Sequence, residues 1–216
     1  MKKIKREGED FTRKIIELYQ EARRSKFVNK KIKRGRSHSI SSIAEDLFAE
    51  YLAKNIKCDE ILVDPPIKID SIKKYFYPDV AVIKNGEIVL TFDLKMDMGY
   101  IRDYLDILCK NGSDNVKKFC GKKCYTNIPT VDYLRKDKKE YFFSSKLRHN
   151  IIIVSGRNVN SNKLKKGLEN AEKYEPDVKV FVLTDKKHPN EYGYTAEKLM
   201  DEIDIKDESF KEIKEM

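Results

Sequence analysis

Two runs of alternating apolar and polar residues flank Lys84-Asn85-Gly86-Glu87, and this pattern constrains the fold more than any other feature of the chain. The runs cover residues 77–83 and 88–95. Alternation with a period of two is typical of a β-strand with one buried face, and Asn-Gly is a strong signal for a hairpin turn. The sequence therefore predicts an antiparallel hairpin.

The parity of this hairpin determines which side chains share a face. Even-numbered positions of both strands are apolar: Val80, Val82, Ile88, Leu90, Phe92 and Leu94. If these residues face the core, then Asp79, Asp93 and Lys95 share the opposite face. A three-residue loop with a bulge at Gly86 satisfies this parity and pairs Asp79 with Thr91. Asp79 and Asp93 then become diagonal neighbours, with Cα atoms about 7–8 Å apart.

Two carboxylates and a lysine on one face predict a specific chemistry. Carboxylate oxygens suit Mg²⁺, which takes the rest of its ligands from water and substrate phosphate. Such a metal acidifies a water molecule and stabilises charge on phosphorus, and Lys95 would stand beside the same phosphate. The predicted reaction is hydrolysis of a phosphodiester bond. The alternative is an exposed hairpin face with a surface ion pair.

A second combination of Pro-Asp and Asp-x-Lys runs from Pro176-Asp177 to Asp185-Lys186-Lys187. Both of these acids belong to one predicted strand and lie at its opposite ends, about 26 Å apart at ~3.3 Å per residue. They cannot share one cation. Geometry therefore favours the set formed by Asp79, Asp93 and Lys95.

The remaining periodicity predicts an α/β fold with a mixed central sheet and helices on both faces. Further helices are predicted over residues 10–25, from Ser41 onward, over 98–110 and over 162–174, and further strands over 60–70, 150–155 and 178–184. The last two strands are rich in apolar residues and are separated by a helix, which predicts a parallel pair joined by a crossover. Residues 111–149 are predicted to be irregular.

Pro78-Asp79, thirteen further residues and then Asp93-Leu94-Lys95 resemble the motif of the PD-(D/E)xK nuclease superfamily. The order helix, three strands, helix, strand over residues 41–184 is similar to the core of that family. The resemblance implies a restriction-endonuclease-like fold and Mg²⁺-dependent cleavage of DNA. It implies that Asp79 and Asp93 bind the metal and that Lys95 is the catalytic lysine.

Many members of the family also use a glutamate from the helix before the sheet, and here Glu45 is the best-placed third metal ligand. Glu45 has an equally simple structural interpretation as the capping-box partner of Ser42. Glu50 is a reserve candidate for the same role.

A stand-alone chain of 216 residues resembles type II restriction endonucleases, which implies a homodimer on double-stranded DNA. We expect a single nuclease domain over residues 1–216. Its predicted parts are a basic helical arm (1–40), a catalytic core (41–110 and 150–184), an insertion (111–149) and an acidic C-terminal tail (195–216).

Charge is concentrated at the N-terminus. The whole chain has 45 Lys and Arg against 36 Asp and Glu, while residues 1–36 alone hold fourteen basic and five acidic residues. A basic arm suits a phosphate backbone, although a solvated lysine-rich loop is the alternative. The predicted DNA-binding residues lie in the arm and in the insertion: Arg23, Arg24, Lys33, Arg34, Arg36, Arg135, Lys136 and Arg148.

Composition argues against several classes of protein. Four cysteines are too few for a disulfide scaffold, and neither a secretory signal nor an apolar run of ~20 residues is visible, so we expect a soluble cytoplasmic protein. No glycine-rich phosphate loop occurs, so no nucleotide cofactor is expected. No histidine has an evident partner for acid–base work. Three functions stay open: a type II restriction endonuclease, a structure-selective repair or recombination nuclease of the same superfamily, and a non-catalytic DNA-binding protein.

Overall fold

The structure, a computed structural model, describes residues 6–27, 31–72, 75–99, 105–129 and 134–216. The helices are α1 (Glu9–Ala22), α2 (Ser41–Asn55), α3 (Leu105–Phe119), α4 (Ser161–Ala171), α5 (Ala196–Glu202) and α6 (Asp207–Lys214). The strands are β1 (Glu60–Val63), β2 (Ile67–Ile69), β3 (Tyr75–Phe76), β4 (Val80–Lys84), β5 (Glu87–Asp97), β6 (Lys123–Pro129), β7 (Lys136–Ser155), β8 (Val178–Asp185) and β9 (Asp204–Ile205).

The strands form one mixed sheet, as the sequence predicts. Its order is β1-β4-β5-β7-β6-β2-β3, and β8 lies between β7 and β9. Strands β1, β4 and β5 are antiparallel neighbours, whereas β7 runs parallel to both β5 and β8. The two apolar strands predicted from residues 150–155 and 178–184 are thus confirmed as a parallel pair.

The prediction that residues 111–149 are irregular is wrong. Residues up to Phe119 belong to α3 (Leu105–Phe119), and Met98 and Gly99, where the helix was predicted to begin, are not helical. Strand β6 and the first half of β7 then form an antiparallel ribbon, and the second half of β7 continues into the centre of the sheet. The lysines of this segment suggested a loop, but β6 and β7 satisfy each other's backbone hydrogen bonds, which makes a strand pair possible with polar side chains.

Helices cover both faces of the sheet. On one face α1, α2, α5 and α6 pack against Val80 and Val82 of β4 and against Leu90, Phe92 and Leu94 of β5. Phe48 and Phe92 are fully buried there, with ring centroids 5.3 Å apart. On the other face α3 and α4 pack against Ile151 and Ile153 of β7. Burial of one such side chain contributes about 1.5–3 kcal/mol.

Helix α1 and the C-terminal segment both belong to this core. Phe11 and Ile15 of α1, predicted to lie on one apolar stripe, are buried against α2 and the sheet. The basic residues described after α1, at positions 23–26 and 31–36, are not helical. Beyond them the amide of His38 donates a 2.8 Å hydrogen bond to the carbonyl of Ala22 at the end of α1. The acidic C-terminal segment is not a solvated tail, since Phe210 of α6 is fully buried.

None of the helices in the described part of the chain combines the length and apolarity that crossing a bilayer requires.

Candidate active site

The β4–β5 hairpin has a different turn from the predicted one. Asn85 and Gly86 both have positive φ, 53° and 75°, and Lys84 pairs with Glu87, which makes a two-residue turn. Such turns favour Asn-Gly because both central residues need positive φ. A two-residue turn alone would not put the even-numbered residues of both strands on one face. A bulge farther along adds the extra residue that this requires: Ile83 pairs with Ile88, but Val82 pairs with Leu90.

This bulge changes which residues face each other. Val80 pairs with Phe92 and Ala81 with Thr91, so the predicted pairing of Asp79 with Thr91 is wrong. Asp79 precedes Val80 and therefore comes opposite Asp93, closer than the predicted diagonal. Ile88 lies before the bulge and packs with Ala81, so the prediction that Ile88 shares a face with the other even-numbered residues is wrong. The predicted shared face for Asp79, Asp93 and Lys95 is nevertheless retained.

Asp79 is held in place by backbone contacts. Its Oδ2 accepts a 2.5 Å hydrogen bond from the amide of Leu94 on the neighbouring strand. Its carbonyl accepts a 2.8 Å hydrogen bond from the amide of Asp64, which follows β1 with a positive φ of 45°. These contacts position a side chain that is only a quarter exposed.

Lys95 completes the predicted group. Its Nζ lies 3.9 Å from Oδ2 of Asp79, and the Lys95 side chain is 23% exposed. Because Lys95 and Asp93 are two residues apart on β5, both side chains project from the same face of the strand. The structure thus brings Asp79, Asp93 and Lys95 together.

Negative charge accumulates around Asp79. Burial, followed by the charges of Asp93 and Asp64, raises the pKa of Asp79, while the Leu94 hydrogen bond and Lys95 oppose this effect. Burial and the charges of Asp79 and Asp64 likewise raise the pKa of Glu45. Asp64 was missed by sequence analysis; the available signal was its position before Pro65-Pro66, where β1 ends.

Glu45 faces this group and is not a helix cap. Helix α2 begins at Ser41 with Ile40 as its N-cap residue, and no side chain caps it. The predicted capping box of Ser42 and Glu45 is therefore wrong. Glu45 is half-buried; burial raises its pKa most, and among the neighbouring charges Asp79 raises it most.

His149 is a site residue that sequence analysis missed. It is 5% exposed and lies on β7, where it pairs with Thr91 of β5. Its Nδ1 lies 3.0 Å from Oγ1 of Thr91, and its Nε2 lies 3.8 Å from Oδ2 of Asp93. Burial lowers its pKa, so the imidazole is neutral at pH 7. No local pattern predicts this contact, because it depends on the pairing of β5 with β7.

The donor chemistry of the site fits Mg²⁺. Among the described residues no group of three or more His, Cys, Asp or Glu side chains is arranged to hold a metal ion. Magnesium, however, usually binds through one or two carboxylates and completes its shell with water and phosphate. Asp79 and Asp93 supply such oxygens, and a cation between them would relieve the repulsion that raises the pKa of Asp79.

The competing acid pair does not form a site. Asp177 and Asp185 lie at opposite ends of β8. Asp177 accepts a 2.9 Å hydrogen bond from Ser113 and pairs with Lys117 at 3.4 Å. These contacts give Asp177 a structural role in joining α3 to the start of β8.

The residues predicted to bind DNA do not form one surface. Arg24, Lys33, Arg34 and Arg36 are exposed in the loop after α1. Arg23 instead contacts the loop after β8, where its guanidinium donates to Asn190 and to the carbonyl of Glu191 and lies 4.0 Å from the Tyr192 ring centroid.

The predicted base-reading residues are also spread out. Arg135 is 77% exposed, and Lys136 begins β7 at the end of the ribbon that it forms with β6. Arg148 is half-buried opposite Leu90, three residues before Asp93 and hence about 10 Å along the strand. Of these three residues, Arg148 is therefore the nearest along the strands to Asp93.

A separate cavity of about 640 Å³ lies between α1 and α2, away from these residues. Its charged groups pair with each other: Glu50 binds Lys14 at 2.8 Å and also Lys54. This cavity shows no group poised for chemistry.

Comparisons of the chain with protein-family models, with curated proteins and with solved structures returned no match.

Proposed function

We propose that this protein is a Mg²⁺-dependent endonuclease that hydrolyses phosphodiester bonds of double-stranded DNA, and that it acts as a type II restriction endonuclease. The observation that carries the proposal is the convergence of Asp79, Asp93 and Lys95 on one face of the β4–β5 hairpin, with Nζ of Lys95 3.9 Å from Asp79. A mixed sheet flanked by helices supports the same assignment, although among the described residues five strands lie between α2 and α3 where three were predicted, because the strand predicted over residues 60–70 is divided into β1 and β2 and because β3 is added.

Each residue has a distinct role in this proposal. Asp79 and Asp93 would hold the metal, and Glu45 would add negative charge to the same site. When bound, Mg²⁺ supplies positive charge at the scissile phosphate and a more acidic water molecule. Lys95 orients the attacking water or donates to the phosphate oxygen on which charge develops. The amide of Leu94 fixes Asp79, so the carboxylate does not have to be ordered when substrate binds.

The exposed basic loop supports a polyanionic substrate. Arg23, at the start of this loop, donates hydrogen bonds to residues 190–191. The segment after β8 that contains these residues also contains His188, whose Nε2 lies 3.1 Å from Oδ2 of Asp97 at the end of β5. The loop therefore begins near the end of the strand that carries Asp93 and Lys95. From there, Arg34 and Arg36 would contact phosphates next to the cleavage site.

Digestion of plasmid DNA tests the proposal. The wild-type protein should produce discrete fragments with Mg²⁺ and none with EDTA. Asp79→Ala and Asp93→Ala should abolish cleavage but retain DNA binding in Ca²⁺, whereas the matched control Asp177→Ala should cut at the wild-type rate. Nicking confined to branched substrates would favour a structure-selective nuclease, and binding without any cleavage would favour a non-catalytic protein.

The proposed homodimer is tested separately. Sedimentation of the protein with a short duplex that contains the cleaved sequence should give two chains for each duplex, because a two-fold symmetric site is matched by a two-fold symmetric protein. One chain for each duplex would contradict the dimer without affecting the cleavage chemistry.

A further inference from the structure

We infer that a cleft beside Asp93 binds an unpaired nucleobase of the nucleic-acid substrate; this inference rests on the proposed nuclease function. The cleft has a volume of about 410 Å³ and lies between α3 and the segment around β3. Its size is within the range of small-ligand sites, roughly 300–1,000 Å³. Asp93 and His149 contribute to its lining, so an occupant would sit next to the proposed metal site.

One wall of the cleft is aromatic. Tyr75 and Tyr77 line it and are 50% and 60% exposed, which is unusual for two neighbouring large side chains. Their rings stack with centroids 5.9 Å apart and an interplanar angle of 29°. An exposed ring face of this kind is what an unstacked base binds, because every base has a π-face. Tyr77 is two residues from Asp79, which places the aromatic wall close to the proposed scissile phosphate.

The opposite wall is polar and comes from α3. Asn111, Asn115 and Lys118 line the cleft and are spaced by four and three residues, so they share one face of the helix. Asparagine amides can donate to and accept from the edge of a base, and lysine suits a phosphate. Aromatic, amide and cationic groups thus face one another across the cleft, a combination that matches a nucleotide and not a purely apolar ligand.

Basic and aromatic groups continue beyond the cleft. Nζ of Lys68 lies 6.0 Å from the Tyr75 ring centroid and 5.7 Å from that of Tyr125, and Nζ of Lys138 lies 4.1 Å from Tyr125. Interleaved lysines and tyrosines provide both phosphate contacts and stacking surfaces for an extended strand. The unpaired base can therefore come either from a nucleotide extruded from a duplex or from a single-stranded end.

Binding to three fluorescent DNA probes in Ca²⁺ tests the inference: a paired duplex, the same duplex with one unpaired 2-aminopurine, and a single strand. The wild-type protein should bind the unpaired probe about ten-fold more tightly than the paired one and quench its 2-aminopurine. Tyr75→Leu/Tyr77→Leu, which retains bulk without a ring, should lose both effects. The matched control Phe142→Leu should retain them, since Phe142 is 50% exposed but pairs with Glu87 at the far end of the hairpin.

Asn111→Ala should reduce the preference for the unpaired over the paired probe several-fold. Because Asn111 is exposed on α3, this variant tests the cleft even if the tyrosine variant fails to fold. Tighter binding of the duplex with the unpaired 2-aminopurine than of the paired duplex supports an extruded nucleotide. Tighter binding of the single strand alone supports a single-stranded end. Equal binding of all three probes by the wild-type protein, or an unchanged preference in the tyrosine variant, would overturn the inference. Plasmid cleavage without a preference would refute only the cleft, whereas a preference without cleavage would refute only the nuclease.

Discussion

The ammonium of Lys95 lies 3.9 Å from Oδ2 of Asp79, across the strand pair that the Asn85-Gly86 turn joins. This distance is too long for a hydrogen bond, so Lys95 is attracted to the carboxylate without being committed to it. An ammonium held in this way can move to a phosphate oxygen when substrate binds. We therefore expect Lys95 to act on the scissile phosphate.

Replacing Lys95 tests that role. Lys95→Ala should lower the cleavage rate by about 10²–10³-fold, the usual cost of removing one group that stabilises developing charge. Lys95→Arg should not restore activity, because guanidinium has a different shape and does not lose its proton. The control Lys187→Ala removes a lysine that contacts Tyr194 and Glu202, and should cleave normally. Single-turnover rates provide the measurement, and equal losses in both alanine variants would contradict the assignment.

Asp79 should destabilise the fold when no metal is bound. Its pKa is raised by burial and by the charges of Asp93 and Asp64, so the stability that it contributes falls as pH rises through its folded-state pKa. At pH 7, Asp79→Asn should therefore unfold at a higher temperature than the wild-type protein in EDTA. Mg²⁺ at ten times its Kd should stabilise the wild type by about 1.4 kcal/mol and the variant by less.

Thermal unfolding with and without Mg²⁺ measures both effects. Asp114→Asn is the control, because Asp114 is exposed on α3 and should respond to Mg²⁺ as the wild type does. A less stable Asp79→Asn in EDTA, with an unchanged response to Mg²⁺, would mean that Asp79 is a structural hydrogen-bond acceptor only.

Asp97 should stabilise the fold in a pH-dependent way. It lies within 3.1 Å of His188, and the amide of Gly99 and the side chain of Asn158 also donate to it; these contacts lower its pKa to about 2. A carboxyl group with a lowered pKa stabilises the folded state at pH values above its unfolded-state pKa. This stabilisation is lost as the pH falls through the folded-state pKa. Asp97→Ala should cost about 2 kcal/mol at pH 7. Urea unfolding should show this difference shrinking between about pH 4 and about pH 2, whereas a pH-independent difference would exclude this ionisation.

Arg34 and Arg36 should act differently from Arg23. The first two are exposed, so Arg34→Ala/Arg36→Ala should lower the slope of log K against log salt by about two units, roughly 0.9 for each phosphate contact. Arg23→Ala should instead lower the free energy of unfolding by about 1–3 kcal/mol, since it removes contacts with Asn190 and Glu191. Titrations on cognate and scrambled duplexes would measure the slopes. A larger slope change for Arg23 would reverse these roles.

Gly112 should be required for the position of His149. A Cβ at Gly112 would lie 2.6 Å from Cδ2 of His149 and 3.0 Å from Cγ2 of Val178. Overpacking of this kind costs about 1–3 kcal/mol, more than the roughly 1 kcal/mol that alanine gains over glycine in a helix. Gly112→Ala should therefore lower the melting temperature and slow cleavage, because His149 contacts Asp93. Gly167→Ala on α4 serves as the control and should cleave normally.

Local chemistry determined much of this protein from its sequence alone. Alternating residues around Asn85-Gly86 indicated a hairpin, and the period of two placed Asp93 and Lys95 on one face. The apolar even-numbered residues of both strands predicted that Asp79 shares that face. Two strands rich in apolar residues predicted a buried parallel pair, which β7 and β8 form. These features depend on neighbours in the chain, so they can be recognised without the fold.

Tertiary structure decided the rest. The bulge that places Asp79 opposite Asp93 depends on packing of both hairpin faces, since it moves Ile88 into a different part of the core. The contact of His149 with Asp93 and the cleft beneath Tyr77 depend on how α3 and β7 meet β5, residues far apart in sequence. Burial and long-range pairing create these relationships, and no local pattern encodes them, because the same residues in isolation would have no preferred partner.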